Sequence, residues 1–201
     1  MGMLIAIITT LMANGNISLE LVGLGILIGS IIGAFFAIRV EMTQMPQMVA
    51  IFNGFGGIAS ALIASAEYLN PDNILSTFSL STISLSVFVG TLTFTGSFIA
   101  FGKLQGFISG QPIVFTGQQI LNGIIALFLV ATAAFMVSTP DSINYFYILL
   151  ASSAVLGITL TIPIGGADMP VVISLLNSYS GIAAASTGFV LNNCLLYTSP
   201  S

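Results

Sequence analysis

Residues able to do chemistry are scarce in this sequence, and the informative ones recur at one spacing. Met45-Pro46 is followed by Asn53, Phe55 and Gly57, and Met169-Pro170 by Asn177, Tyr179 and Gly181. In both copies the asparagine lies seven residues after the proline, the aromatic nine and the glycine eleven. Ser86, Gly90, Thr93 and Ser97 form a further set that shares one face at helical spacing. Amides and hydroxyls both donate and accept hydrogen bonds, so a series of them can hold a file of water. They do not titrate. Two uses are open to Asn53 and Asn177: a short polar path beside the hydroxyl face, or interhelical hydrogen bonds worth about 0.6–2 kcal/mol each.

The elements that carry these residues follow from composition. Of 201 residues, 56% are hydrophobic and 4% charged, with a mean hydropathy of +1.11. A soluble domain needs about a quarter charged residues to cover its surface, so this is an integral membrane protein. Apolar runs at roughly 20–39, 46–69, 80–103, 119–138, 143–164 and 169–192 are each long enough to cross a bilayer, and 1–13 is a partial one. No run alternates as a barrel strand would. The expected fold is an all-α polytopic bundle of six full transmembrane helices and one partial N-terminal helix.

Proline is tolerated in a first helical turn, where its missing N–H has no partner anyway. Each asparagine then sits about 12 Å into the membrane. Positions 177, 181, 184 and 188 (Asn, Gly, Ala, Gly) form one narrow face, matched by 53, 57, 60 and 64 (Asn, Gly, Ser, Ala). Each amide is therefore expected to point along a groove of small residues. The prolines are 124 residues apart with an even number of crossings between them, so both copies run in the same direction. Many secondary transporters have inverted repeats instead.

Helix packing is expected at Gly57, Gly181 and Gly188, and at the Gly25, Gly29, Gly33 ridge, which has the spacing of a close-packing membrane face. Gly23-x-Gly25 lies inside an apolar run with no preceding strand, which disfavours a dinucleotide fingerprint. Asp168 and Glu41 precede their helices and read as N-terminal charges or caps. Two cations, Arg39 and Lys103, exclude a nucleic-acid footprint. One cysteine, Cys194, and no histidine exclude a disulfide framework and a His/Cys metal cluster. With alternating crossings, Arg39, Lys103 and the 104–118 loop share one side, cytoplasmic by the positive-inside rule. Glu20, Glu67, Asp72 and Asp141 share the other. Both ends of the sequence read as cut.

Arg39-Val-Glu-Met-Thr-Gln-Met-Pro46, Thr93-Phe-Thr-Gly-Ser97 with Phe101-Gly-Lys103-Leu, and Gly165-Gly-Ala-Asp168-Met-Pro through Asn177-Ser-Tyr-Ser-Gly181 resemble the beta subunit of proton-translocating nicotinamide nucleotide transhydrogenase. The resemblance reaches to about residue 192. It implies an enzyme complex that moves hydride from NADH to NADP, driven by inward proton movement across a bacterial plasma membrane. It also implies alpha-subunit partners that carry the NAD(H) domain, a soluble NADP(H) domain following the membrane helices, and a homodimer of the complex. On this reading residues 1–192 are a transmembrane proton-channel domain, the NADP-binding domain is absent, and 193–201 depart from the family. Neither NADP(H) nor NAD(H) would bind these residues themselves. Carried over by position, Asn177 and Ser97 match proton-path residues, and Asp168 matches an acid that couples the channel to the NADP(H) domain. Asn53 stands where some members have a membrane histidine, and similar members place a histidine on an alpha-side helix instead. The alternatives are a secondary transporter of a small solute and a structural membrane subunit.

Overall fold

The computed structural model of the protein describes residues 18–70, 75–140 and 142–191. The expected partial helix at 1–13, Asp72, Asp141 and the 193–201 tail, with Cys194, lie outside the described residues. Among the described residues there are six α-helices: α1 (Leu19–Arg39), α2 (Met45–Leu69), α3 (Thr77–Leu104), α4 (Gln118–Ser138), α5 (Ile143–Thr161) and α6 (Met169–Val190). Among the described residues there is no strand, and all six helices are long and apolar enough to cross a membrane. The expected fold class and the six expected spans are the observed ones.

The chain divides into two compact units, Met1–Met45 and Pro46–Ser201. In the first, α1 is apolar on every side and ends with the Arg39 guanidinium carbon 5.5 Å from the centre of the Phe35 ring. The Gly25, Gly29, Gly33 ridge runs along this helix, and alanine at any of the three would meet no heavy atom within 4 Å.

The second unit is built around α3. Its hydrophobic positions Leu80, Ile83, Val87, Leu92 and Ala100 are buried, and the helix packs against α4, α5 and α6. The large exposed side chains elsewhere, such as Phe52, Leu127 and Val171, are appropriate where the surrounding solvent is lipid rather than water. Hydrogen bonds at the helix ends fix the directions. Gln47 Nε2 near the start of α2 donates to Leu104 O at the end of α3 (3.2 Å), and Gln118 Nε2 at the start of α4 donates to Thr159 O near the end of α5 (3.0 Å). At the opposite end, the Tyr68 hydroxyl donates to Pro140 O at 3.0 Å, and Phe78 of α3 meets Phe189 of α6 edge-on. Helices α2 and α6 therefore run in the same direction, both antiparallel to α3, as the repeat requires.

Local sequence sets the ends. The Ser76 hydroxyl accepts the Ser79 N–H and caps α3. Pro170 sits in the first turn of α6, where its missing donor is harmless. Asp168 holds the N-cap position of α6 but makes no side-chain cap bond, and Glu41 does the same ahead of the short helix Met42–Gln44. Neither carboxylate is a capping group, and each contributes charge at most.

Candidate functional site

Helices α2, α3 and α6 meet along faces of small residues. Two glycines let the α2 and α3 backbones touch: a methyl group at Gly57 would lie 2.8 Å from Gly90 O, and one at Gly90 would lie 2.5 Å from Gly57 O. This approach brings short polar side chains from three helices within reach of one another.

One turn from Gly57, the Asn53 amide is 7% exposed and the Ser97 hydroxyl fully buried. Asn53 Nδ2 donates to Ser97 Oγ at 3.0 Å. From α6, Ser180 Oγ lies 2.7 Å from Asn53 Oδ1 and 2.7 Å from Asn177 O. A serine hydroxyl has one hydrogen to donate, so Ser180 serves one acceptor at a time. The network opens on a groove of about 350 Å³ lined by Val49, Phe52, Asn53, Gly56, Asn177 and Ser180.

Of the residues singled out in the sequence, Asn53 and Ser97 are brought together. Asn177 is different: its side chain is exposed at the groove rim, and only its main-chain carbonyl joins the network. The two repeat copies are thus unequal in packing. Helix α6 buries Ile173, Leu176, Ala183 and Thr187, which turns position 177 away from α3. Both asparagines line the groove, but only Asn53 is buried and bonded to α3 through its side chain. The aromatics also diverge, with Phe55 edge-on to Phe98 at 5.8 Å and Tyr179 packed on the main hydrophobic core.

Ser180 is the partner that sequence reasoning did not single out. Its signal was present: it lies three residues after Asn177, on the neighbouring strip of the same helix. Removing its hydroxyl with Ser180→Ala deprives Asn53 Oδ1 of a donor. The expected cost is about 0.6–2 kcal/mol, read as a lower unfolding midpoint in detergent, and an unchanged midpoint would remove Ser180 from the network.

A second polar cluster sits further along the same interface. Ser86 and Thr187 hydroxyls are 2.7 Å apart, both reach Ser60 O at 3.3 Å, and both reach Ala183 O. Gly188 is buried beside this cluster on α6, and Gly181 is half-buried.

At the end of the unit that carries the Asp168 turn, Lys103 is only 4% exposed. Its Nζ donates to Gln111 O at 3.3 Å, to Ile164 O at 2.7 Å, and to Ile162 O. Gly166 N–H donates to Gly110 O at 2.8 Å. The loop between α3 and α4 is thereby tied to the turn between α5 and α6, where Asp168 is exposed.

Fold and site together define a class: a polytopic α-helical membrane protein with an amide–hydroxyl network where three helices meet. The sequence matches the family described as NAD(P) transhydrogenase beta subunit over residues 1–199, and the chain belongs to that family. The match extends into the tail expected to depart from it. Relatives include an NAD(P) transhydrogenase subunit beta from Rhodospirillum rubrum, 45% identical over 202 residues, covering 97% of this chain. A second sequence of that name, from a specified strain of the same species, gives the same figures. The chain spans about 43% of the length of these relatives.

Proposed function

We propose that these helices are the proton-conducting membrane part of a proton-translocating NAD(P) transhydrogenase, which couples inward proton movement to hydride transfer from NADH to NADP. The observation that carries this reading is the Asn53–Ser97–Ser180 network, largely buried and opening on a groove that Asn53, Asn177 and Ser180 line together with apolar side chains. The Ser97 and Ser180 hydroxyls both donate and accept, and the Asn53 amide fixes their positions, so together they can order water along which a proton hops from oxygen to oxygen. Asn177 at the rim supplies an amide to water entering the groove.

The described residues do not fit a nucleotide: they contain no strand, and the Gly23-x-Gly25 stretch lies within α1. The nucleotides supply the hydride chemistry and bind in other parts of the complex. These are an NADP(H)-binding domain that follows the channel domain at 1–192, and alpha subunits that carry NAD(H) and the titratable group. The complex is a homodimer in the bacterial plasma membrane, with Arg39, Lys103 and Asp168 on the cytoplasmic side. Asp168 would meet the NADP(H) domain, a role supported by its exposure on a turn held to the neighbouring loop. The Gly25, Gly29, Gly33 ridge, exposed at Gly25 and Gly29, is a packing face for another membrane helix.

A packing role is the competing reading, because Asn53 is matched by side chains on both sides. Asn177 separates the two, since its side chain is exposed and supports no packing. In the complete enzyme, Asn53→Leu and Asn177→Leu are both expected to lower proton-coupled hydride transfer by about 10²-fold while the complex still assembles. Full coupled activity in Asn177→Leu together with loss in Asn53→Leu would favour packing.

A further inference from the structure

Between the two polar clusters lies one buried hydroxyl with no partner. Thr93 is fully buried, and its Oγ1 makes no hydrogen bond. Other buried hydroxyls of this bundle bond back to a carbonyl one turn earlier, as Thr132 does to Phe128 O, Ser153 to Leu149 O and Thr161 to Gly157 O. Thr93 has not taken that exit. A methyl group at Gly57 would lie 3.2 Å from Thr93 Cγ2, so the methyl of Thr93 faces the α2 backbone and its hydroxyl is turned elsewhere. Thr91 is also unpartnered, but it lies about 160° round the helix from Thr93. That is the side where Leu92 and Thr95 receive α5 at Gly157.

Position along α3 gives Thr93 its meaning. It shares the face of Ser86, Gly90 and Ser97, four residues from Ser97 and seven from Ser86. At 1.5 Å per residue these gaps are about 6 Å and about 10 Å. Oxygen-to-oxygen hydrogen bonds are about 2.8 Å long, so spans of these lengths would take one water and two or three waters respectively. An interior hydroxyl in a membrane bundle must find a partner, because lipid offers none. Water is the partner of the right size where several polar groups converge.

We propose that Thr93 Oγ1 anchors a short file of interior waters that joins the Asn53–Ser97–Ser180 network to the Ser86–Thr187 cluster, so that the proton path continues along α3 through both. Ser86 and Thr187 then form its far section, and Ser60 O and Ala183 O orient their hydroxyls. The step balances without any further reagent: a proton enters one end of the file, each oxygen passes on the hydrogen it held, and a proton leaves the other end. This extension rests on the proton-path reading given above.

Thr93→Val and Thr93→Ser test it in the complete complex reconstituted in vesicles, with Asn53→Leu as reference and proton uptake and hydride transfer both measured. The path predicts that valine, equal in shape but without the hydroxyl, lowers proton-coupled turnover at least about tenfold, and that serine restores most of it. A purely structural role predicts the reverse, because valine keeps the contact with Gly57 and serine loses a methyl there. A valine variant at full rate beside an inactive Asn53→Leu overturns the extension and leaves the path through Asn53 standing. Full rates in both variants would bring down the proton-path reading itself. If the valine variant does not assemble, Ser86→Ala decides: a fall of about tenfold supports the extension, and an unchanged rate overturns it.

Discussion

A methyl group placed on Gly90 is expected to force α2 and α3 apart and to weaken the polar network two turns away. In Gly90→Ala the new carbon would lie 2.5 Å from Gly57 O, 3.1 Å from Ala61 Cβ and 3.2 Å from Ala61 N. Two of these atoms are backbone, so no rotamer change relieves the overlap and the helices themselves must move. Overpacking of this kind costs about 1–3 kcal/mol, and here it falls on the contact that brings Asn53 to Ser97. Thermal unfolding in detergent should show a clear drop in midpoint, and proton-coupled activity of the assembled complex should fall with it. Gly23→Ala is the control, because alanine there meets nothing within 4 Å and gains about 0.5–1 kcal/mol of helix preference. Equal stability of the two variants would show that the α2–α3 backbone contact is looser than described.

Lys103→Met is expected to release the loop between α3 and α4. The ammonium has three hydrogens, and it donates to three main-chain carbonyls, Gln111 O, Ile162 O and Ile164 O. Such complete matching is what makes a nearly buried charge tolerable. Hydrogen bonds to a charged donor are worth about 1.5–3 kcal/mol each, offset in part because methionine needs no desolvation of an ion. The net loss concentrates on residues 105–117 and on the Gly165–Asp168 turn. Amide hydrogen exchange should rise in both segments while α3 itself stays protected. Lys103→Arg is expected not to rescue them, since a planar fork cannot replace a compact group aimed at three separate carbonyls. Unchanged exchange in Lys103→Met would show that the Gly166–Gly110 bond holds the loop unaided.

Much of the fold was legible because lipid imposes one demand: about 20 apolar residues whose backbone bonds are satisfied within the segment. The run at 80–103 became α3 (Thr77–Leu104), and the run at 143–164 became α5 (Ile143–Thr161). The shared direction of α2 and α6 followed from counting crossings. Periodicity also placed Ser86, Gly90, Thr93 and Ser97 on one face. What periodicity cannot supply is the neighbour that meets a face. Asn53 and Asn177 occupy equal places in their repeats, yet α3 offers its hydroxyls to the first and receives Ile173, Leu176 and Ala183 alongside the second. Lys103 read as a marker of membrane orientation, whereas its carbonyl partners lie eight, 59 and 61 residues away. Asp168 sits where a cap belongs but does not cap, because the cap bond depends on a backbone approach that sequence alone does not specify.

If protons pass along the proposed path, the paired acceptors of Ser180 have a consequence for repeated turnover. When a proton crosses a file of oxygens by successive hops, every dipole in the file is left pointing backwards, and no second proton can follow until each has rotated. A primary amide resists that reversal, because its two ends differ and it must swing as a whole. A hydroxyl turns about a single bond, and at Ser180 the two orientations end on acceptors equally distant at 2.7 Å. On the proposed path, the recovery stroke would begin where rotation meets the least resistance, at the serine of α6.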